Sequence, residues 1–162
     1  MKRALVVVDM IEDFVREGGA LYCGPSMARI LPVIQREIAR SRDAKEPVVY
    51  LTDNHLPGDA EFQIFPPHAL VGTKGAEIVP ELTPAKDDVV IPKRRYSGFF
   101  GTDLDITLRE RGVDTLRLVG DCTWPATTPF STTASYFPAP VVTLRTLKSD
   151  VVVGIDEASN TS

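Results

Sequence analysis

The chain lacks most of what would announce a specialised environment. Two cysteines in 162 residues, Cys23 and Cys122, are too few for a disulfide-stapled secreted scaffold. No apolar signal segment follows Met1-Lys2-Arg3, which runs straight into a strand-like stretch. Free thiols and a cytoplasmic location are therefore expected. Basic residues are outnumbered, 18 Lys and Arg against 22 Asp and Glu, giving a net charge of −4 and no footprint for nucleic acid. No window approaches the roughly 20 apolar residues of a membrane span, so no membrane partner is expected. There is no internal repeat. Histidine is scarce as well, with only His55 and His68. What remains is an ordinary globular composition, 43% apolar and 25% charged, of a length that fits one domain, 1–162.

The order of the hydrophobic runs predicts an α/β fold. Ala4 to Val8 is a continuous β-branched run, as a strand buried on both faces requires. Met27, Ile30, Leu31, Ile34 and Ile38 recur at helical spacing after the start signal Gly24-Pro25-Ser26. Further strands are predicted at Pro47 to Leu51, Val89 to Ile91 and Thr115 to Val119. A long loop occupies 54–74, and Ala76 to Leu82 reads as a short helical piece. Thr102 is a good N-cap and Gly112 a good stop for a helix carrying Leu104 and Leu108. Strand-helix-strand alternation implies right-handed crossovers and a three-layer α-β-α architecture. Its sheet is open, mostly parallel and doubly wound, with helices on both faces. Beyond Asp121 the pattern degrades. The stretch 124–133, where a crossover helix is due, holds Pro125, Pro129 and five Ser or Thr residues. Val141 to Leu144 reads as an edge strand, and Asp150 to Val153 as another short one.

Four of the strand-like runs end in residues that can do chemistry: Asp9, then Asp53-Asn54-His55, then Lys93, then Cys122. Parallel sheets bind ligands along the carboxyl ends of their strands, so these ends should converge. Each has a bland alternative. Asp9 could accept a turn hydrogen bond, Lys93-Arg94-Arg95 could be a solvated basic turn, and Cys122 could be a small buried hydrophobe. Asp53, His55 and His68 together form a carboxylate-plus-two-imidazole set that suits zinc, iron or manganese. Asp9 could take a thiol proton and pass it to a leaving amine. Lys93 would keep that carboxylate ionised and lower the thiol pKa. Phosphoacceptor domains also put Asp and Lys at strand ends, but Asp9-Met10-Ile11-Glu12 supplies little of the acidic cluster they need to hold magnesium.

Taken in order, the motifs resemble the isochorismatase-like cysteine hydrolases, and among them most closely the nicotinamidases. They are Leu5-Val6-Val7-Val8-Asp9-Met10, Asp53-Asn54-His55, Phe65-Pro66-Pro67-His68, Gly75-Ala76-Glu77, Lys93 ahead of Tyr96-Ser97-Gly98-Phe99-Phe100-Gly101-Thr102-Asp103-Leu104, and Gly120-Asp121-Cys122-Thr123. The resemblance implies hydrolysis of a small-molecule amide, with nicotinamide giving nicotinate and ammonia the leading case. It implies Asp9 as proton carrier and Lys93 as its partner. Asp53, His55 and His68 become ligands of a divalent metal, zinc foremost with manganese and iron as alternatives. Phe14 falls beside the substrate ring, and a non-proline cis peptide falls around Asp121-Cys122. A homo-oligomer is also implied.

One position departs. The family strand end reads Gly-x-x-Thr-x-x-Cys, and counting from Gly120 puts the nucleophile at Ala126 rather than Cys122. Three readings stay open. The chain is a pseudoenzyme that binds metal or ligand, or Cys122 serves after a local rearrangement, or the sequence from about Asp121 onward is in error.

Overall fold

The computed structural model describes residues 2–121, 142–147 and 150–154. Six strands form one sheet: β1 (Arg3–Val8), β2 (Val48–Asp53), β3 (Val89–Lys93), β4 (Thr115–Gly120), β5 (Val142–Leu147) and β6 (Asp150–Gly154). Their order is β3-β2-β1-β4-β5-β6. The first four run parallel, while β5 and β6 pair antiparallel. The expected open, mostly parallel α/β sheet is the one observed. The strand expected at the edge, Val141 to Leu144, instead starts within the described residues at Val142 and lies between β4 and β6. The β6 strand takes the edge on that side.

The unbroken apolar run of β1 is explained by two helices, one on each face. Ala4, Val6 and Val8 point toward α3 (Leu104–Glu110), where Leu104 and Leu108 join their cluster. Leu5 and Val7 point the other way, toward Met27, Ile34 and Ile38 of α2 (Ser26–Asp43). Side chains alternate across a strand, so burial on both faces demands an apolar residue at every position. Each fully buried aliphatic side chain contributes about 1.5–3 kcal/mol.

The N-cap of α3 is Asp103, one residue after the expected Thr102, and it makes no side-chain cap bond; the Thr102 hydroxyl still accepts from the Leu104 amide at 3.2 Å. At the other end Gly112 takes φ +64, its amide bonds to Arg109 O, and the Val113 amide bonds to Leu108 O. That pair of bonds is a Schellman stop.

The helical piece expected at Ala76 to Leu82 is instead two separate 3₁₀ turns, Lys74–Ala76 and Pro80–Leu82. The residues between them are committed elsewhere. Glu12 N bonds to Glu77 O, Val79 N bonds to Met10 O, and Ile11 bridges Ile78. A further turn, Ala60–Gln63, interrupts the long loop. A short helix α1 (Glu12–Val15), not expected from the sequence, follows β1 directly. The crossover helix due after Cys122 lies outside the described residues, as do Cys122 itself, Ala126 and the Asp121-Cys122 peptide bond.

Asp13 on α1 ties two loops together. Its carboxylate accepts from Ala69 N at 2.8 Å and Ala20 N at 3.2 Å. It also packs where a Cβ on Gly75 would stand only 2.1 Å from Oδ2. Ala69 sits at φ +44, a conformation L residues avoid, and it directly follows His68. Asp13→Ala should therefore lower stability by about 1–3 kcal/mol by stripping a partner from the Ala69 amide. Urea denaturation measures this, and an unchanged midpoint would show that the tie contributes nothing.

Candidate active site

The register of the parallel strands lines up their chemistry-bearing ends. Asp53 on β2 pairs directly with Lys93 on β3, and Val8 at the end of β1 pairs with Gly120 on β4. Across the sheet the carboxyl ends thus read Lys93, Asp53, Asp9, Gly120. The expected convergence of Asp9, Asp53 and Lys93 is observed.

Asp9 leaves the strand at φ +53. This left-handed turn is uncommon for a residue with a side chain, though aspartate is among those that tolerate it, and such conformations cluster at functional sites. Its amide still bonds to Leu51 O at 2.8 Å, and its Oδ1 accepts from the Asp53 amide at 2.8 Å. The turn leaves Oδ2 to meet the Lys93 ammonium at 2.7 Å. Lys93 also donates to Asp53 Oδ1. All three side chains are buried. Burial, and then the charge of Asp53, push Asp9 up to about 7 despite the opposing pull of Lys93. For Lys93, burial disfavours the ammonium, but Asp9 and Asp53 outweigh it and hold the amine above its ordinary range. For Asp53, burial favours the neutral acid, and Lys93 and His55 reverse that and hold it below the usual carboxylate range.

The two oxygens of Asp53 divide their work. Oδ1 serves Lys93, and Oδ2 faces His55 Nε2 at 3.6 Å and His68 Nε2 at 3.9 Å. Those separations exceed a hydrogen bond. Two ligands each about 2.0–2.2 Å from a metal stand at most about 4.4 Å apart, so both separations fit a shared ion. The three residues offer ligand atoms all within 4.8 Å of one another, so a shared ion asks the widest pair to draw in by a few tenths of an ångström. His55 Nε2 is buried with no hydrogen-bond partner among the described residues. An orphaned buried nitrogen is costly, and here it points where a cation would satisfy it. The residues present fit a divalent metal. His68 Nδ1 lies 2.8 Å from Pro66 O, which can only accept, so a ring proton sits on Nδ1 and the neutral tautomer presents its lone pair at Nε2. Burial lowers the His55 pKa, yet Asp53 and Asp59 outweigh that and hold it above the ordinary value. The position favours positive charge.

Aromatic rings gather around His68. The Phe14 ring stands 5.5 Å from that of His68, with Phe62 at 5.7 Å and Phe65 at 6.3 Å. A cavity opens over the strand ends, with Phe14, Leu21, Cys23, Tyr96 and Asp121 lining it beside Asp9 and Lys93. Phe14, which the resemblance implies beside a substrate ring, is among the residues lining this cavity, and Cys122 falls outside the described residues. Glycine at 120 lets β4 approach β1: at φ +128, a Cβ there would lie 2.1 Å from Val8 O.

Several residues here escaped sequence reasoning. Cys23 lines the cavity and its thiol donates to Asp121 Oδ2 at 2.9 Å. Glu61 reaches the cavity rim, where burial and Asp53 raise its pKa. Asp59 is held by Arg94 and Arg95, so the Lys93-Arg94-Arg95 run is not a solvated basic turn. Burial favours the acid form of Asp59, but the Arg94 hydrogen bond and further donors hold it well below the carboxylate range. The only sequence signal for Asp59 was its place four residues after His55.

Comparison with known proteins follows the same line. An isochorismatase domain matches residues 3–124. The chain belongs to the isochorismatase family. Among curated relatives, the isochorismatase family protein PncA of Bacillus subtilis is 36% identical over 133 residues, covering 76% of this chain and 73% of its own. Ureidoacrylate amidohydrolase RutB of Cronobacter sakazakii is 33% identical over 145 residues, covering 74% and 62%. Among solved structures, N-carbamoylsarcosine amidase of Thermoplasma acidophilum superposes with a TM-score of 0.73 at 39% identity, over 78% of this chain and 73% of its own. Nicotinamidase PncA of B. subtilis gives 0.71 at 38%, over 75% and 72%. A pyrazinamidase of Pyrococcus horikoshii in complex with zinc gives 0.68 at 34%, over 74% and 70%. The activities named for these amidases are amide hydrolyses. The isochorismatase-family match reaches Cys122 and stops short of Ala126. Among the described residues no helix is long and apolar enough to cross a membrane.

Proposed function

We propose that this isochorismatase-family chain hydrolyses a small carboxamide, and that nicotinamide, giving nicotinate and ammonia, is its preferred substrate. One observation carries this reading: Asp9 and Lys93 line one aromatic-walled cavity together with Asp53 and His68, and His55 stands behind them close enough to complete a three-ligand set. Cys122, two residues beyond Gly120, is the proposed nucleophile. Its thiol proton passes to the Asp9 carboxylate as sulfur attacks the amide carbon. Asp9 then gives that proton to the leaving nitrogen, releasing ammonia and a thioester. Water attacks the thioester carbon, Asp9 takes the water proton, and the thiol is restored. A group near pKa 7 suits a carrier that must accept and return a proton at neutral pH. Lys93 steadies the charge on Asp9 through these transfers. Phe14 packs against the flat face of an aromatic ring. A divalent metal, zinc foremost, held by Asp53, His55 and His68 would bind the ring nitrogen and orient the carboxamide.

The zinc-bound pyrazinamidase relative supports the metal assignment. The ureidoacrylate and N-carbamoylsarcosine relatives keep open-chain amides in contention. Ammonia release from nicotinamide should appear with zinc or manganese present. It should fall by about 10³-fold or more in Asp9→Asn, the order expected on losing a general base within a catalytic unit. Release that persists in Cys122→Ala would reject that nucleophile, and no release at all would reject the reaction.

A second reading rests on the alanine at the family's nucleophile position. Here the chain binds metal and ligand without turnover. Saturable nicotinamide binding by calorimetry, with no ammonia formed, is its signature.

A further inference from the structure

The three-residue run that ends β3 splits between two tasks. Lys93 turns toward Asp9 and Asp53, while Arg94 and Arg95 grip Asp59. The Asp59 side chain is wholly buried. Its Oδ2 receives Arg94 Nε at 3.0 Å and Nη2 at 2.8 Å, and lies 3.3 Å from His55 Nδ1. Its Oδ1 receives Arg95 Nη1 at 3.0 Å and the Glu61 amide at 3.2 Å. A carboxylate between two guanidiniums only accepts, so the proton on His55 must sit at Nδ1. A neutral imidazole carries one proton, which leaves Nε2 with its lone pair. That atom is the buried nitrogen without a hydrogen-bond partner among the described residues.

We infer that Asp59, clamped by Arg94 and Arg95, is a positioning residue: it fixes the orientation and tautomer of His55 so that the Asp53/His55/His68 set is preformed for a divalent metal. The inference rests on the metal reading above and extends it to residues that touch neither metal nor substrate. The clamp also joins the two halves of the site, because one turn anchors both the Asp9 ion pair and the carboxylate behind His55. Partners behind a ligating histidine are worth about 10–100-fold in metal affinity.

The test is a zinc titration of the full chain against a chromophoric chelator, with the metal-free melting temperature and the cobalt(II) visible spectrum measured alongside. Asp59→Ala should weaken zinc binding by about 10–100-fold and change the cobalt spectrum. The double change Arg94→Gln, Arg95→Gln alters two half-exposed side chains and should weaken zinc several-fold with little change in melting. A merely structural role would lower the metal-free melting temperature and leave the affinity of the folded variant alone. Zinc affinity within about twofold of the parent in folded Asp59→Ala overturns the inference. If that variant does not fold, the same result in the double variant overturns it. If the parent binds zinc no better than His55→Ala does, the metal reading itself fails and the positioning role fails with it.

Discussion

Lys93→Met should destabilise the chain by about 3–5 kcal/mol, the range for removing one partner of a buried ion pair. The methionine fills a similar volume, so the loss is electrostatic rather than a cavity. Asp9 and Asp53 would be left as two buried carboxylates with their shared cation gone. Domains of this size hold about 5–15 kcal/mol in all, so the variant should stand close to unfolding at neutral pH. Its stability should also depend on pH in a defined direction. Asp9 already stands at about 7, raised first by burial and then by Asp53, with Lys93 pulling it down. Removing Lys93 removes that pull and raises Asp9 further. An aspartate in the unfolded chain titrates near 3.9. Between those values the folded variant keeps a proton that the unfolded chain has lost, so its stability falls as pH rises. Urea midpoints for Lys93→Met should therefore be higher at pH 5 than at pH 8. Equal midpoints, or a total loss under 1 kcal/mol, would mean that the three charges do not act as one buried unit.

Gly120→Ala should be about as damaging for a different reason. The new Cβ would stand 2.1 Å from Val8 O and 2.8 Å from Val8 N, both backbone atoms of the neighbouring strand. Neither can move without opening the β1/β4 pairing at Val8↔Gly120. A loss of about 3–5 kcal/mol is expected, at the diagnostic end of single substitutions. Gly112→Ala is the control. Gly112 also has positive φ, +64, but nothing lies within 4 Å of a Cβ there. It should lose only about 1–2 kcal/mol, the penalty for a left-handed L residue. Thermal and urea melts of the pair separate close approach from dihedral strain. Similar losses in both would show that the contact between β4 and β1 is not the constraint. Because Gly120 also sets where the next residues emerge, any folded Gly120→Ala should carry a displaced Asp121, whose amide bonds to Val8 O at 3.0 Å.

The elements most legible in the sequence were those with local signatures. The β1 run reads as doubly buried because every residue is apolar, and α2 reads from its helical spacing. The Gly112 stop was legible because few residues adopt its φ cheaply. The candidate site was legible where chemistry coincided with a strand end, as for Asp9, Asp53 and Lys93. The misreadings share a cause. Ala76 to Leu82 looked helical by composition, but its middle is drawn into extended pairing with residues 10–12, a contact no local pattern encodes. Arg94 and Arg95 looked solvated because charge runs usually are. Their partner, Asp59, lies 35 and 36 residues away. Cys23 gave no sign of its place, because only folding brings it against Asp121, 98 residues on.

The sequence by itself determined the layer architecture and the order in which reactive residues reach one edge of the sheet. Both follow from periodicity and from strand ends, which are properties of short segments. Tertiary structure alone decided how those residues share charge. It gave Asp53 one oxygen for Lys93 and turned the other toward the histidines, and left His55 Nε2 without a hydrogen-bond partner among the described residues. It also turned Arg94 and Arg95 inward onto Asp59. Burial and strand register set those outcomes, because desolvation and Coulomb energy depend on distances that the linear chain does not contain.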